Sequence, residues 1–210
     1  ALALACDREI RMKRFYRVIF FIPPVLSEVV VGLIWRWVLN PQQQGGEYLG
    51  LLNQFLNQIG LTHLVSDWLS NPDTALACIA VVHSWKGFGW GFVLLLAGLQ
   101  TIDRELYEAA RVDGAGSWKT FTNVTVPMMA PVILVVVILT ILGSMQVFVL
   151  IIAMGGTLVG TTEVPVTLIL ENMTYHKEYG YACSMGVTFG LILIAVSFLF
   201  KWLSDRVKQA

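Results

Sequence analysis

The chain has 210 residues, of which 56% are hydrophobic and 13% charged, with a mean hydropathy of +0.69. A water-soluble domain of this length needs far more polar surface to cover itself, so water is excluded as its main solvent. The 14 Lys and Arg balance the 14 Asp and Glu, and no global field marks the chain for nucleic acid.

The chain opens on the apolar stretch Ala1 to Cys6 and runs at once into charge, the reverse of a signal peptide, which places its basic residues first. The stretch reads as the end of a preceding helix. A single transmembrane domain is therefore expected over 1–210, lacking its N-terminal helix. Four long apolar segments follow, from Val18 to Leu39, Thr74 to Gln100, Met128 to Met154 and Tyr181 to Trp202. Each is close to the roughly 20 residues that cross a bilayer as helix. Uninterrupted apolar runs fit helices, since barrel strands alternate, so the expected fold is all-α and polytopic. Pro23-Pro24 is expected to shape a helix start or a kink.

The basic residues set the orientation. Arg8, Arg11, Lys13, Arg14 and Arg17, then Arg104, Arg111 and Lys119, then Lys201, Arg206 and Lys208 share one side, which the positive-inside rule makes cytoplasmic. The segments 40–73 and 155–180 then lie outside. In the first of these, Leu52, Phe55, Leu56 and Ile59 recur at helical spacing, as expected for an amphipathic helix that lies on the membrane or on a partner or, the preferred reading, caps the bundle. Cys6, Cys78 and Cys183 are scattered and read as small buried hydrophobes, and His63, His83 and His176 form no ligand cluster, so neither metal nor cofactor is implied.

The inner segment 101–127 is the most informative. Asp103 can cap a helix with Glu105 in its first turn, running through Leu106, Tyr107 and Ala110 to a stop at Gly114. Ser117 can cap a second short helix that leads to Pro127 and the next span. The product is a helix-turn-helix elbow joined to a transmembrane helix. Within it, Gly114 to Thr120 is similar to a phosphate-binding loop but has Trp118 where Gly must precede Lys, and no strand leads into it. The chain is not expected to bind ATP or to act as an enzyme.

Glu108-Ala109-Ala110, three residues, Gly114, nine residues, then Val124, Val126 and Pro127 resembles the EAA loop of binding-protein-dependent ABC importers, with Val where Ile and Leu are usual. Ala97-Gly98-Leu99-Gln100, Leu106-Tyr107, Val112-Asp113-Gly114-Ala115 and Gly32 to Trp37 are similar to the carbohydrate permeases of the maltose and glycerol-phosphate type. The resemblance covers the chain from about Arg11 onward. It implies the type I, maltose-type permease fold in a bacterial cytoplasmic membrane and a cytoplasmic ATP-binding-cassette ATPase as partner. It further implies a second permease in a heteromeric pair, an extracytoplasmic solute-binding protein and a sugar or related polyol as cargo. By the same resemblance Glu108, Ala109, Ala110, Asp113, Gly114 and Pro127 couple the elbow to the ATPase. A carboxylate there can pair with a basic group, Ala permits close approach and Gly permits a sharp turn.

The run His83-Ser84-Trp85-Lys86-Gly87-Phe88-Gly89-Trp90-Gly91 interrupts an apolar span with polar, aromatic and Gly residues, the composition of transporter sites. Trp and His rings, here Trp85 among them, suit the apolar faces and hydroxyl edges of a sugar. By motif position, contacts of the related sugar permeases correspond to His83, Gly87 and Trp90, then Gly143 and Ser144, with Gln146 nearby. Glu28 lies near mid-bilayer and is expected to be a polar anchor with Lys86 as partner. Ala182, Gly186 and Gly190 form a small-residue stripe suited to helix packing. The alternatives are a permease for another solute class, and a channel or secondary transporter with Glu28 and Lys86 in an ion path. A membrane-embedded enzyme lacks a convincing nucleophile-base or metal constellation.

Overall fold

A computed structural model describes residues 13–155 and 162–209, so the expectation for Ala1 to Cys6 lies outside the described residues. The helices are α1 (Lys13–Val25), α2 (Glu28–Val38), α3 (Leu51–Gln58), α4 (Pro72–Gln100), α5 (Arg104–Val112), α6 (Ser117–Thr120), α7 (Val126–Met145), α8 (Val149–Ala153), α9 (Pro165–Thr174) and α10 (Tyr179–Gln209). Between α2 and α3 a two-residue hairpin pairs β1 (Gln43–Gln44) with β2 (Glu47–Tyr48), antiparallel. Its loop is Gly45-Gly46, with φ of 62° and 88°, the left-handed pair that a tight hairpin turn requires. Among the described residues three helical segments are long and apolar enough to cross a membrane, namely Pro72–Gln100, Ser117–Met145 and Tyr179–Trp202; the broken pair Val18–Val25 and Glu28–Val38 makes a fourth if counted as one span.

Two of the expected spans are corrected. The first is no continuous helix over Val18 to Leu39 but is broken at Leu26–Ser27. Pro23 and Pro24 occupy the last turn of α1 and cannot donate to the carbonyls four residues back, so the helix ends one residue later. The third does not run from Met128 to Met154. It begins at Ser117 and ends at Met145, where Gly143 and Ser144 weaken the helix and Gln146 N–H turns back to the Gly143 carbonyl at 3.2 Å. The residues beyond form the separate helix α8.

By contacts the chain divides into two units, Ala1–Val25 with Gly87–Leu142 and Leu191–Ala210, and Leu26–Lys86 with Gly143–Gly190. In the first, Phe92, Leu96 and Leu99 form one stripe of α4 and bury with Ile102 and with Met129 of α7, while Phe20, Leu95, Tyr107 and Val132 pack around them. Two glycines permit this packing. A Cβ on Gly98 would sit 2.9 Å from the Val132 methyls. One on Gly89 would strike the Phe20 carbonyl and the Pro24 ring, and that carbonyl is the one Pro24 leaves without its helical donor.

In the second unit Val31 of α2, Ile79 and Val82 of α4, and Leu150 and Ile151 of α8 bury together with Leu39 and Met154. Gly32 admits the Ala153 side chain, and a Cβ there would strike it. Helix α3 forms where the spacing predicts and Leu52 does pack on this core, but its buried face is not the expected apolar one. Asn53 is 1% exposed, donating through Nδ2 to the Ser66 carbonyl at 3.0 Å and accepting from Trp68 Nε1 at 2.7 Å, while Phe55 and Ile59 stand exposed. The paired amide satisfies Asn53, so burial there is not penalised. The cysteine expectation is corrected too, for Cys78 is half-buried but Cys183 is exposed.

Helix α9 starts with Pro165 at its first position and with the Thr167 hydroxyl, which accepts the Val164 N–H at 2.8 Å and donates to the Val164 carbonyl at 2.9 Å. It carries a buried Glu171, whose Oε1 lies 3.3 Å from His176 Nε2. The turn into α10 holds Lys177 at φ 57°, a left-handed conformation that costs a side chain with a Cβ.

Two stability outcomes follow from this packing. Gly89→Ala lowers the midpoint of thermal inactivation in detergent, at a cost of about 1–3 kcal/mol for overpacking, whereas Gly87→Ala, with open space around the new methyl in the interior of α4, does not lower it and adds up to about 1 kcal/mol of helix propensity. Lys177→Gly raises the same midpoint by relieving about 1 kcal/mol of backbone strain; a lower midpoint would show that the turn is not strained.

Candidate functional site

The elbow is assembled from its own caps. Asp103 Oδ1 accepts the Glu105 N–H at 3.1 Å and starts α5 as expected. At the other end Gly114 takes φ 72°, its N–H bonds to the Arg111 carbonyl at 3.1 Å, and the Ala115 N–H bonds to the Ala110 carbonyl at 2.9 Å. These are the two bonds of a Schellman stop, which needs a residue free to adopt positive φ. The second helix starts at the expected cap residue itself. Gly116 holds the cap position and Ser117 is already helical.

Pro127 does not separate that helix from the span. A wide π turn over Phe121–Thr125 joins α6 to α7, and the Val126 N–H reaches back five residues to the Phe121 carbonyl. The wide turn gives the Pro127 ring room beside a carbonyl it would otherwise crowd and to which it cannot donate. Ser117–Met145 is thus one helical rod of 29 residues.

The elbow is fastened to the rod through Tyr107. Its ring packs against the core of the first unit and its hydroxyl meets Thr125 Oγ1 at 3.2 Å, with Thr125 buried in the π turn. The opposite face of α5 carries Glu105, Glu108 and Val112 at helical spacing, all exposed. Val112 is 88% exposed and Trp118 of α6 is 74% exposed although its ring leans on Phe121 at 5.7 Å between ring centres, so both leave apolar surface uncovered within the chain. Ala109, Asp113 and Pro127 are also exposed, and Ala110 is half-buried. Of the six expected coupling residues, Glu108 to Gly114 lie on α5 and its stop, while Pro127 is the second residue of α7, all within the first unit. Val112 and Trp118 were not singled out in the sequence, although Val112 stands one turn beyond Glu108.

Of the expected path residues, His83, Trp85, Gly143, Ser144 and Gln146 belong to the second unit, and Gly87 and Trp90 to the first. His83 Nε2 and Ser144 Oγ are brought to 3.5 Å, joining α4 to the end of α7. Trp85 packs edge-on against Trp35 of α2 at 5.8 Å between ring centres, and Trp90 packs edge-on against Phe21 at 5.9 Å. Gly87 and Gly143 have open space where a side chain would be. The expected Glu28–Lys86 pair is present, with Lys86 Nζ 3.8 Å from Glu28 Oε1. In the small-residue stripe of α10, Ala182 is buried, whereas Gly186 and Gly190 meet nothing within the chain. Among the described residues no group of three or more His, Cys, Asp or Glu is placed to hold a metal ion.

Comparison with known proteins follows the same lines. The family model described as "Binding-protein-dependent transport system inner membrane component" matches residues 1–209. YurN of Bacillus subtilis (strain 168), designated "Probable ABC transporter permease protein", is 34% identical over 186 residues, covering 88% of this chain and 62% of its own. NgcF, a diacetylchitobiose uptake system permease protein of Streptomyces coelicolor, is 33% identical over 207 residues, covering 96% of this chain and 55% of its own. The chain thus spans less than two thirds of the length of either relative. In fold, it is similar to a chain of a bacterial alginate ABC transporter, solved with an alginate pentasaccharide-bound periplasmic protein. The TM-score is 0.83 at 24% identity, covering 98% of this chain and 70% of that one. With the whole matched length, the elbow and the apolar helices in agreement, the chain belongs to the binding-protein-dependent transport system inner membrane component family.

Proposed function

We propose that the chain is a permease subunit of an ATP-driven importer, multi-pass in the cytoplasmic membrane, that moves a sugar or related polyol inward by alternating access. The observation that carries this reading is the elbow of α5 and α6, capped at both ends, locked to a transmembrane rod and exposing Glu108, Val112 and Trp118. An exposed apolar group rimmed by charge is a surface suited to a protein partner. The basic residues put this surface in the cytoplasm, where it would dock on an ATP-binding-cassette ATPase. Movement of that ATPase would be delivered to α7 without loss in a flexible joint, because Tyr107 and the π turn leave none. The relatives' names support a carbohydrate cargo and an extracytoplasmic solute-binding protein to deliver it, and in this reading a second permease completes the path.

The cargo path of this reading runs past His83, Trp85, Gly87, Trp90, Gly143, Ser144 and Gln146. Within the second unit, the open space at Gly143 and the edge-on Trp85–Trp35 rings suit the flat faces of a pyranose, while His83 and Ser144 offer a donor and an acceptor to its hydroxyls. Hydrolysis belongs to the ATPase, and this chain contributes the coupling surface and the path.

Gly114→Asp tests the coupling. The substitution forces a Cβ into the left-handed position and adds a charge to the docking face, without touching the core. In proteoliposomes of the complete importer, sugar uptake falls at least about tenfold, the effect of losing roughly 1.4 kcal/mol of docking energy, while the variant chain still inserts and purifies. Undiminished ATP-driven uptake by Gly114→Asp would count against the elbow as the coupling element. Uptake by the wild-type chain without any ATPase would favour the channel or secondary-transporter reading.

A further inference from the structure

The Glu28–Lys86 pair does something that a helix anchor alone would not require. Lys86 lies midway along the 29-residue helix α4, and one turn before it stands His83, which reaches Ser144. The two partners of the pair are unequally covered. The Lys86 side chain is 14% exposed and that of Glu28 is 40% exposed. At 3.8 Å the ammonium neutralises the carboxylate but makes no close hydrogen bond with it, so both carboxylate oxygens keep acceptor capacity. An ionised side chain at this depth faces protein or a watery space and not hydrocarbon. What the pair presents to that space is therefore its carboxylate edge, on the side of α4 where His83 and Ser144 meet.

We infer that Glu28, held by Lys86, is a charge filter for the cargo, taking hydroxyl hydrogens from an uncharged polyol and turning acidic sugars away; this rests on the importer reading. The chemistry is one-sided. An ionised carboxylate is an acceptor only, and every sugar hydroxyl can donate to it. A uronate or sulfonate at the same place would bring like charge together in a poorly screened interior, where repulsion between unit charges is large. Lys86 cannot offset this, because its own charge is already matched by Glu28 and its side chain is largely covered. The filter adds a specificity role to two residues that otherwise serve only to satisfy one another.

The test uses the complete importer in proteoliposomes, with ATP inside and its solute-binding protein outside. The panel pairs neutral disaccharides (maltose, lactose and diacetylchitobiose) with acidic ones (digalacturonate and an alginate disaccharide). Uptake per ATP hydrolysed is read for the wild type, Glu28→Gln, Lys86→Met and the double variant Glu28→Gln/Lys86→Met. The wild type imports neutral members only. Glu28→Gln lowers neutral uptake per ATP about tenfold, and the double variant stays low because the carboxylate is still missing. A merely structural pair behaves differently, since removing both charges leaves nothing unpaired and the double variant recovers; that recovery would overturn the inference. So would import of an acidic sugar by the wild type at the rate of a neutral one, a reading that needs no variant to fold. Absence of ATP-driven uptake of any sugar by the wild type would instead bring down the importer reading, and the filter with it.

Discussion

Lipid offers a peptide group no hydrogen-bond partner, and that constraint decides where this chain is allowed to be irregular. Every N–H and C=O within a span has to be satisfied by the helix itself or by protein beside it. The chain places prolines at three points inside its membrane-spanning helices, the Pro23-Pro24 pair, Pro127 and Pro131, of which Pro131 sits within α7, and the structure meets the first two in different ways. At Pro24 the carbonyl freed on Phe20 is shielded by the close approach of Gly89, and the helix then stops. At Pro127 the helix does not stop, because the π turn before it widens by one residue and the Val126 N–H finds the Phe121 carbonyl. A break at Pro127 would have left the elbow hinged. A wide turn leaves it stiff.

That stiffness gives the rest of the site its meaning. The elbow's inward face is occupied by Tyr107, half-buried against the first unit's core and bonded to Thr125, and its outward face stays largely exposed, with Trp118 leaning on Phe121. Glu108, Val112 and Trp118 are then a surface held in place for something else. The second unit repeats the pattern on a smaller scale. Leu150, Ile151 and Val31 make a buried core, and beside it Glu28 and Lys86 pair by charge at 3.8 Å while His83 meets Ser144 at 3.5 Å. Paired charge inside an apolar body is seldom a net stabiliser, since desolvation offsets attraction. Its retention here is consistent with a role in selecting what passes.

The parts legible in the sequence were those governed by local rules. Asp103 and Gly114 bracket α5 because capping chemistry acts within a turn of its own residue, and the apolar runs mark the spans because hydropathy sums along the chain. What escaped was set at a distance or by a subtle choice between neighbours. The His83–Ser144 contact joins residues 61 apart. The burial of Asn53 in place of Phe55 depends on Trp68 and Ser66 arriving to satisfy its amide. The end of the third span at Met145 could have been suspected from Gly143-Ser144, and α9 from Pro165 and Thr167, but each signal is weaker than the hydrophobic runs around it. The Gly45-Gly46 hairpin carried the clearest missed signal, a glycine pair between polar residues.

Helix α10 contrasts with all of this, because none of its most apolar stretch is buried within the chain. Its helical state owes little to side-chain contacts here and follows from partition into hydrocarbon, where an unbonded backbone is the costlier alternative. In folding terms it belongs to insertion and not to assembly. It can form before its neighbours are in place, and a substitution that would ruin a packed core helix leaves its structure intact as long as the new side chain tolerates lipid. What fixes its upper end is the short turn from Tyr175 to Glu178, closed by the Glu178 N–H on the Asn172 carbonyl and by Lys177 in its left-handed conformation. That turn, with Ala182 buried just beyond it, works as a tether, setting where a helix whose most apolar stretch is uncovered enters the membrane.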